Sequence, residues 1–133
     1  MGAGVEVIDI PDDVSFPAMS VAESAVLVSV SGKLRGSRAR QLGERLSQLA
    51  EAGAVRVVLD LRTLTSIDSL GTFALEEGLD RGLRVHVVVR PSFQFDRFFS
   101  SRSLVRRGLR VHRDLDEALA KVRQIMDSGI LLV

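Results

Sequence analysis

Three short stretches of this sequence alternate between apolar and charged residues, with segments of helical periodicity between them. Val55–Leu61 sets Val57, Leu59 and Leu61 against Arg56, Val58 and Asp60. Leu83–Arg90 sets Leu83, Val85, Val87 and Val89 against Arg84, His86, Val88 and Arg90, and Leu109–His112 is a shorter piece of the same kind. Period-two alternation marks a strand with one face in the core. Strands that alternate with helices run parallel, because each crossover returns the chain to the same end of the sheet. A parallel sheet covered on both faces has strands that are apolar throughout. Charged side chains at every second position therefore predict helices mainly on one face. The other face is expected to be wet, or covered only by a partner.

The remaining periodicities complete an order of β-β-α-β-α-β-α-β-α. Val5–Ile10 and Ala25–Ser31 read as two opening strands, a hairpin start, with Gly32 ending the second. Between Ser37 and Ala52, Ala39, Leu42, Leu46, Leu49 and Ala50 recur at helical spacing. Arg38, Arg40, Glu44, Arg45 and Gln48 fall off that stripe; Ser37 is the expected N-cap and Gly53 the expected stop. Asp68-Ser69 precedes a short helix around Leu70–Glu77. Pro91-Ser92 opens a helix carrying Phe95, Phe98 and Phe99. Asp114 caps a last helix, Leu115–Met126, whose stripe is Leu115, Ala118, Leu119, Val122 and Ile125. The prediction is one α/β domain over residues 1–133, with a core of about 5–126. Its sheet is mixed: a hairpin start, then parallel β-α-β units.

Composition removes several functions. Lys plus Arg number 18 against 17 Asp plus Glu, so no general field draws nucleic acid or an anionic membrane. With no cysteine there is no disulfide and no thiol chemistry, which fits a reducing cytosol. No basic segment followed by an apolar one opens the chain, and no apolar run approaches the ~20 residues that span a bilayer. The expectation is a cytoplasmic protein with no membrane insertion.

Catalytic constellations are missing as well. GxGxxG, the P-loop and GxSxG are absent. His86 and His112 sit on separate predicted strands. A metal between them would need the two rings adjacent and a carboxylate such as Asp60 or Asp114 beside them. The plainer expectation is two histidines on the wet face, with no catalytic residue, no metal and no cofactor.

The segment Val57-Val58-Leu59-Asp60-Leu61-Arg62-Thr63-Leu64-Thr65-Ser66-Ile67-Asp68-Ser69-Leu70-Gly71 carries the most specific local physics. A buried strand leads through a polar turn to Asp-Ser at a helix start. First-turn N–H groups lack intrahelical partners and carry partial positive charge. Phosphate on Ser69 would add about −1.5 to −2 charges beside them without unfolding anything. Gly71 would let a partner come close to the backbone. Read on these residues alone, a plain helix cap at Asp68 or Ser69 is the favoured account.

This pattern resembles the signature of STAS domains, as in bacterial anti-sigma factor antagonists, where a hydrophobic strand and a short turn lead to Asp-Ser-Ser-Gly. The likeness continues in Ser29-Val30-Ser31-Gly32-Lys33-Leu34, in Val89-Arg90-Pro91 followed by Phe95-Asp96-Arg97-Phe98-Phe99, and in Asp116-Glu117-Ala118-Leu119-Ala120. It implies a non-catalytic protein-binding switch. Ser69, next to Asp68, would be phosphorylated by a partner anti-sigma factor that is itself a serine kinase, and a metal-dependent phosphatase would reverse it. The partner-binding rim expected from strand ends is Lys33, Leu34 and Arg35, the turn Ser66, Asp68, Ser69, Leu70, Gly71 and Thr72, and Ser92 and Phe93. One alternative is a STAS scaffold or lipid-transporter-associated subunit that binds partners without phosphorylation. A second, from another class, is a small enzyme or nucleotide-binding protein at Asp68-Ser69.

Overall fold

The computed structural model describes the backbone of residues 15–90 and 102–131 and the side chains of 15–90 and 104–124. In chain order it contains β1 (Ala18–Ala22), β2 (Ala25–Ser29), β3 (Gly32–Leu34), α1 (Gly36–Glu51), β4 (Arg56–Asp60) and β5 (Leu64–Ile67). These are followed by α2 (Ser69–Asp80), β6 (Arg84–Val88), α3 (Arg102–Arg106), β7 (Arg110–His112) and α4 (Leu115–Leu131). The strand expected at Val5–Ile10 and the phenylalanine-bearing helix after Pro91 lie outside the described residues. No helix among the described residues is long and apolar enough to cross a membrane.

A five-stranded mixed sheet has the order β1-β2-β4-β6-β7. β1 and β2 are antiparallel and the other pairs are parallel. The described hairpin is thus made by Ala18–Ala22, a segment without clear alternation, and not by the earlier stretch. Ser24 turns it at φ 59°, a left-handed conformation uncommon outside glycine. The Ser24 carbonyl then accepts from the amides of Val55 and Arg56, which ties the hairpin to the start of β4.

Alternation sorts the strand residues as the sequence predicts. Val26, Val28, Val57, Leu59, Val85 and Val87 are buried against Leu42, Leu46 and Leu49 of α1, Ala74 and Leu75 of α2 and Leu104 of α3. The helices therefore lie mainly on that face. The other face is only partly wet. Ala118 and Val122 of α4 seal Ala25, Val58 and Val88 into a second, smaller core. Asp114 caps α4 as expected, its carboxylate accepting from the Glu117 amide at 3.1 Å.

Two local expectations are corrected. β2 ends at Ser29, short of the expected Ser31, and Gly32 bends the chain at φ 73° but opens a new strand where only a stop was expected. This strand, β3, runs parallel to β5 in a separate two-stranded sheet, Lys33 opposite Ser66 and Leu34 opposite Ile67. Arg45, assigned to the polar side of α1, is 1% exposed. Its Nη2 donates to the Phe16 carbonyl at 3.4 Å, beneath the segment that enters β1. That segment also sets the Phe16 ring under the Arg38 guanidinium, 5.2 Å from the ring centroid, a cation–π arrangement.

Candidate functional site

β2 and β4 are adjacent and parallel, so the segments leaving them emerge on one rim. β3 and β5 extend that rim, and α1 and α2 begin where these short strands end. The junction turns on one carboxylate. Asp68 is the N-cap of α2, and its Oδ1 accepts from the Gly71 amide at 3.1 Å. Its Oδ2 accepts from the Gly36 amide at 3.0 Å, across 32 residues, at the start of α1. The Asp68 amide in turn donates to the Leu34 carbonyl at 3.3 Å. Ser37 was the expected cap of α1; Arg35 occupies the N-cap position, and its side chain makes no capping bond. Asp68 satisfies that helix end from a distance. The bond from Gly36 holds its carboxyl below the usual carboxylate range; burial opposes this, and the Gly71 and Leu70 amides and the Arg35 charge add to it.

Ser69, the first residue of α2, is exposed. Lys33 and Arg35 are exposed on the neighbouring segment, and Ser66, Leu70 and Thr72 are half-buried. Leu34 points inward and is fully buried, so it supports the rim and is not part of its surface. Gly71 is buried too. A Cβ there would lie 2.5 Å from Ile67 Cγ1 and 3.3 Å from the Leu34 carbonyl oxygen. Its missing side chain therefore lets α2 approach β5 and β3, an internal contact. Gly71→Ala is expected to lower stability by about 1–3 kcal/mol through overpacking, read as a lower urea midpoint at unchanged slope. Ser92 and Phe93 lie outside the described residues.

One rim residue went unnoticed in the sequence. Phe73, one turn beyond Ser69 on α2, is 58% exposed. The buried face of α2 is Gly71, Ala74, Leu75 and Gly78. That stripe, mostly small residues at helical spacing, leaves Phe73 outside it, and this was the available signal. α2 also runs to Asp80, past the expected end, because Gly78 sits inside the helix; a Cβ there would be 3.0 Å from Leu46 Cδ1.

A second cluster was not expected. His86 and His112 are brought together across the paired strands β6 and β7. His86 Nδ1 and His112 Nε2 are 3.0 Å apart, so one ring donates and the other accepts. The rings stack with centroids 5.3 Å apart, and His86 is only 4% exposed. Among the described residues no group of three or more His, Cys, Asp or Glu gathers as a metal site. Burial, then His112, Arg56 and Arg110, push the His86 imidazole down from 6.5 to about 4. Burial also lowers His112; Glu117 opposes this and Lys121 adds to it.

The pair makes stability depend on pH. Between 6.5 and about 4 the unfolded imidazole binds a proton that the folded one rejects. Stability contributed by neutral His86 is therefore present above 6.5 and is lost as pH falls towards 4. The two rings titrate as a coupled pair. Allowing for solvent screening, the loss is about 1–2 kcal/mol between pH 7 and pH 5. His86→Gln should flatten the difference between urea melts at those two pH values.

Comparison with known proteins agrees with the geometry. SpoIIAA, the anti-sigma factor antagonist, in its unphosphorylated form superposes with a TM-score of 0.66 at 19% identity, over 81% of this chain and 97% of that one. The Bacillus cell fate determinant SpoIIAA in its phosphorylated form gives 0.64 at 19%, over 80% and 98%. An anti-sigma factor antagonist from Mycobacterium paratuberculosis gives 0.69 at 22%, over 85% and 97%. At these identities the likeness establishes the fold. No curated protein gives a significant sequence match. The family described as Mlab, STAS domain, matches residues 18–111, the span from β1 to β7. With most of its length matched, and with β3, β5, α1 and α2 meeting at Asp68 in the same fold, the chain belongs to the STAS domain family.

Proposed function

We propose that this STAS domain, a single unit over residues 1–133, is a regulatory protein-binding module of the anti-sigma factor antagonist kind. It is switched by phosphate on Ser69, placed there by a partner anti-sigma factor that is itself a serine kinase and removed by a metal-dependent phosphatase. It acts in the cytoplasm by binding, without catalysis or cofactor. The observation that carries this reading is the division of labour between adjacent residues. Asp68 already holds a first-turn N–H group of each helix, while Ser69 stands exposed beside it. Phosphate on Ser69 therefore leaves both caps in place and changes only the charge of the rim. The unmodified rim, with Lys33, Arg35, Ser66, Thr72 and Phe73, offers a mixed surface around an exposed aromatic, the kind of anchor that interfaces favour. Ser92 and Phe93 follow the end of the next strand and are included in the proposed contact.

A second reading rests on the family description, which names Mlab and not an antagonist. In it the domain is a scaffold or a subunit of a lipid-transport complex that uses the same rim without phosphorylation. Titration with the cognate anti-sigma factor, followed by calorimetry and by NMR of the backbone amides, separates the two. Saturable binding that perturbs the amides of Lys33, Arg35, Ser69 and Phe73 supports the antagonist reading. No binding, or binding that leaves those amides unmoved, favours the scaffold.

A further inference from the structure

We propose that the cleft between the β4–β6–β7 sheet face and helix α4 binds a small tetrahedral oxyanion, either phosphate or a phosphomonoester group. This site is separate from the Ser69 rim. Arg56, Arg84 and Arg110 stand at the starts of β4, β6 and β7, whereas the rim lies beyond strand ends.

The cleft has a volume of about 170 Å³, and its walls include Arg56, Arg84, Arg110, Lys121, His86 and His112. Sheet register puts them there. Arg56 is opposite Arg84, and His86 is opposite Arg110. Like charges directly opposite on paired strands destabilise a sheet. Here the Arg56 guanidinium is pushed down by burial and by Arg84. The same sheet face shows what a purely structural solution looks like, because Ala25, Val58 and Val88 are simply sealed by Ala118 and Val122. Among the described residues no carboxylate lines the cleft; Glu117 acts on His112 from α4. Four cationic residues thus line one concavity of a chain whose net charge is only +1, and the Arg110 guanidinium also donates to the Leu109 carbonyl at 3.3 Å. An anion relieves their repulsion, and the arginine fork matches phosphate oxygens two at a time. Pockets that hold drug-sized ligands run to roughly 300–1,000 Å³, so this cleft suits the oxyanion group and not a whole nucleotide.

The test is titration of the full chain with inorganic phosphate at fixed ionic strength, with chloride as the control anion. Heats are read by calorimetry and positions by NMR. The expected result is one saturable site, with shifts centred on the His86 and His112 rings and the Gly108 amide. Arg84→Gln with Arg110→Gln should weaken it at least tenfold, while the melting temperature without phosphate stays the same or rises. Glycerol phosphate and phosphatidate-containing vesicles then distinguish a soluble phosphomonoester from a lipid headgroup. Shifts that chloride reproduces at equal concentration, shifts confined to the Ser69 rim, or wild-type affinity in the double variant would each overturn the proposal. The NMR map of the wild-type chain decides the matter even if the double variant folds poorly.

Discussion

Leu46→Ala is expected to lower the free energy of unfolding by about 2–5 kcal/mol. Leu46 is fully buried on α1, with its Cδ1 close to Gly78 of α2 and the sheet core below. Truncation removes its transfer energy and leaves a void. Gly78 has no side chain to move into that void, so collapse is limited. Leu46→Met, which conserves volume, should cost less than about 1.5 kcal/mol. Arg84→Ala is the contrasting case. Arg84 is exposed on the opposite sheet face and repels Arg56, so its removal should stay within about 0.5 kcal/mol of wild type. Urea melts of the three variants check this. Equal losses for Leu46→Ala and Arg84→Ala would contradict the assignment of the two faces.

Ser69→Asp is expected to weaken binding to the proposed anti-sigma partner at least tenfold while leaving the fold intact. An exposed acid at the first residue of a helix meets a favourable dipole, worth about 0.3–1 kcal/mol, so the isolated domain should melt no lower than wild type. At an interface the same charge becomes costly. A buried unpaired charge costs several kcal/mol, and each ~1.4 kcal/mol is tenfold in affinity. Ser69→Ala adds no charge and should keep wild-type affinity. Parallel titrations of the two variants isolate charge as the cause, and equal weakening by both would indicate lost contact instead.

What could be read from the sequence was whatever depends on local period. The alternation within β4 and β6 predicted the side each residue faces, and the succession of strands and helices predicted the parallel pairing. The stripe of α1 and that of α4 from Leu115 to Val122 followed from helical spacing, and the Asp114 cap from residue type; Ile125 lies outside the described side chains. Asp68 as the cap of α2 was legible for the same reason. Its second role was not, because the Gly36 amide it accepts from lies 32 residues away and only the fold brings them together. The His86–His112 pair was hidden likewise, since 26 residues separate two rings that parallel pairing sets side by side. β3 and β5 are three and four residues long, too short to show a period. Arg45 was misassigned because a guanidinium was taken as a surface group, yet the Phe16 carbonyl gives it an internal partner. Phe73 was overlooked for the converse reason: an aromatic on a helix was not asked which face it occupied.

The central claim is that Ser69 is where the rim changes charge. Its most direct test is to incubate the chain with the proposed partner anti-sigma kinase and ATP, and to locate the phosphate by peptide mass spectrometry. One phosphate on Ser69, absent from Ser69→Ala and removed by a metal-dependent phosphatase, is the result this account predicts. Phosphate on Ser66, Thr72 or any other residue, or no phosphate at all from a kinase that binds the rim, would contradict it.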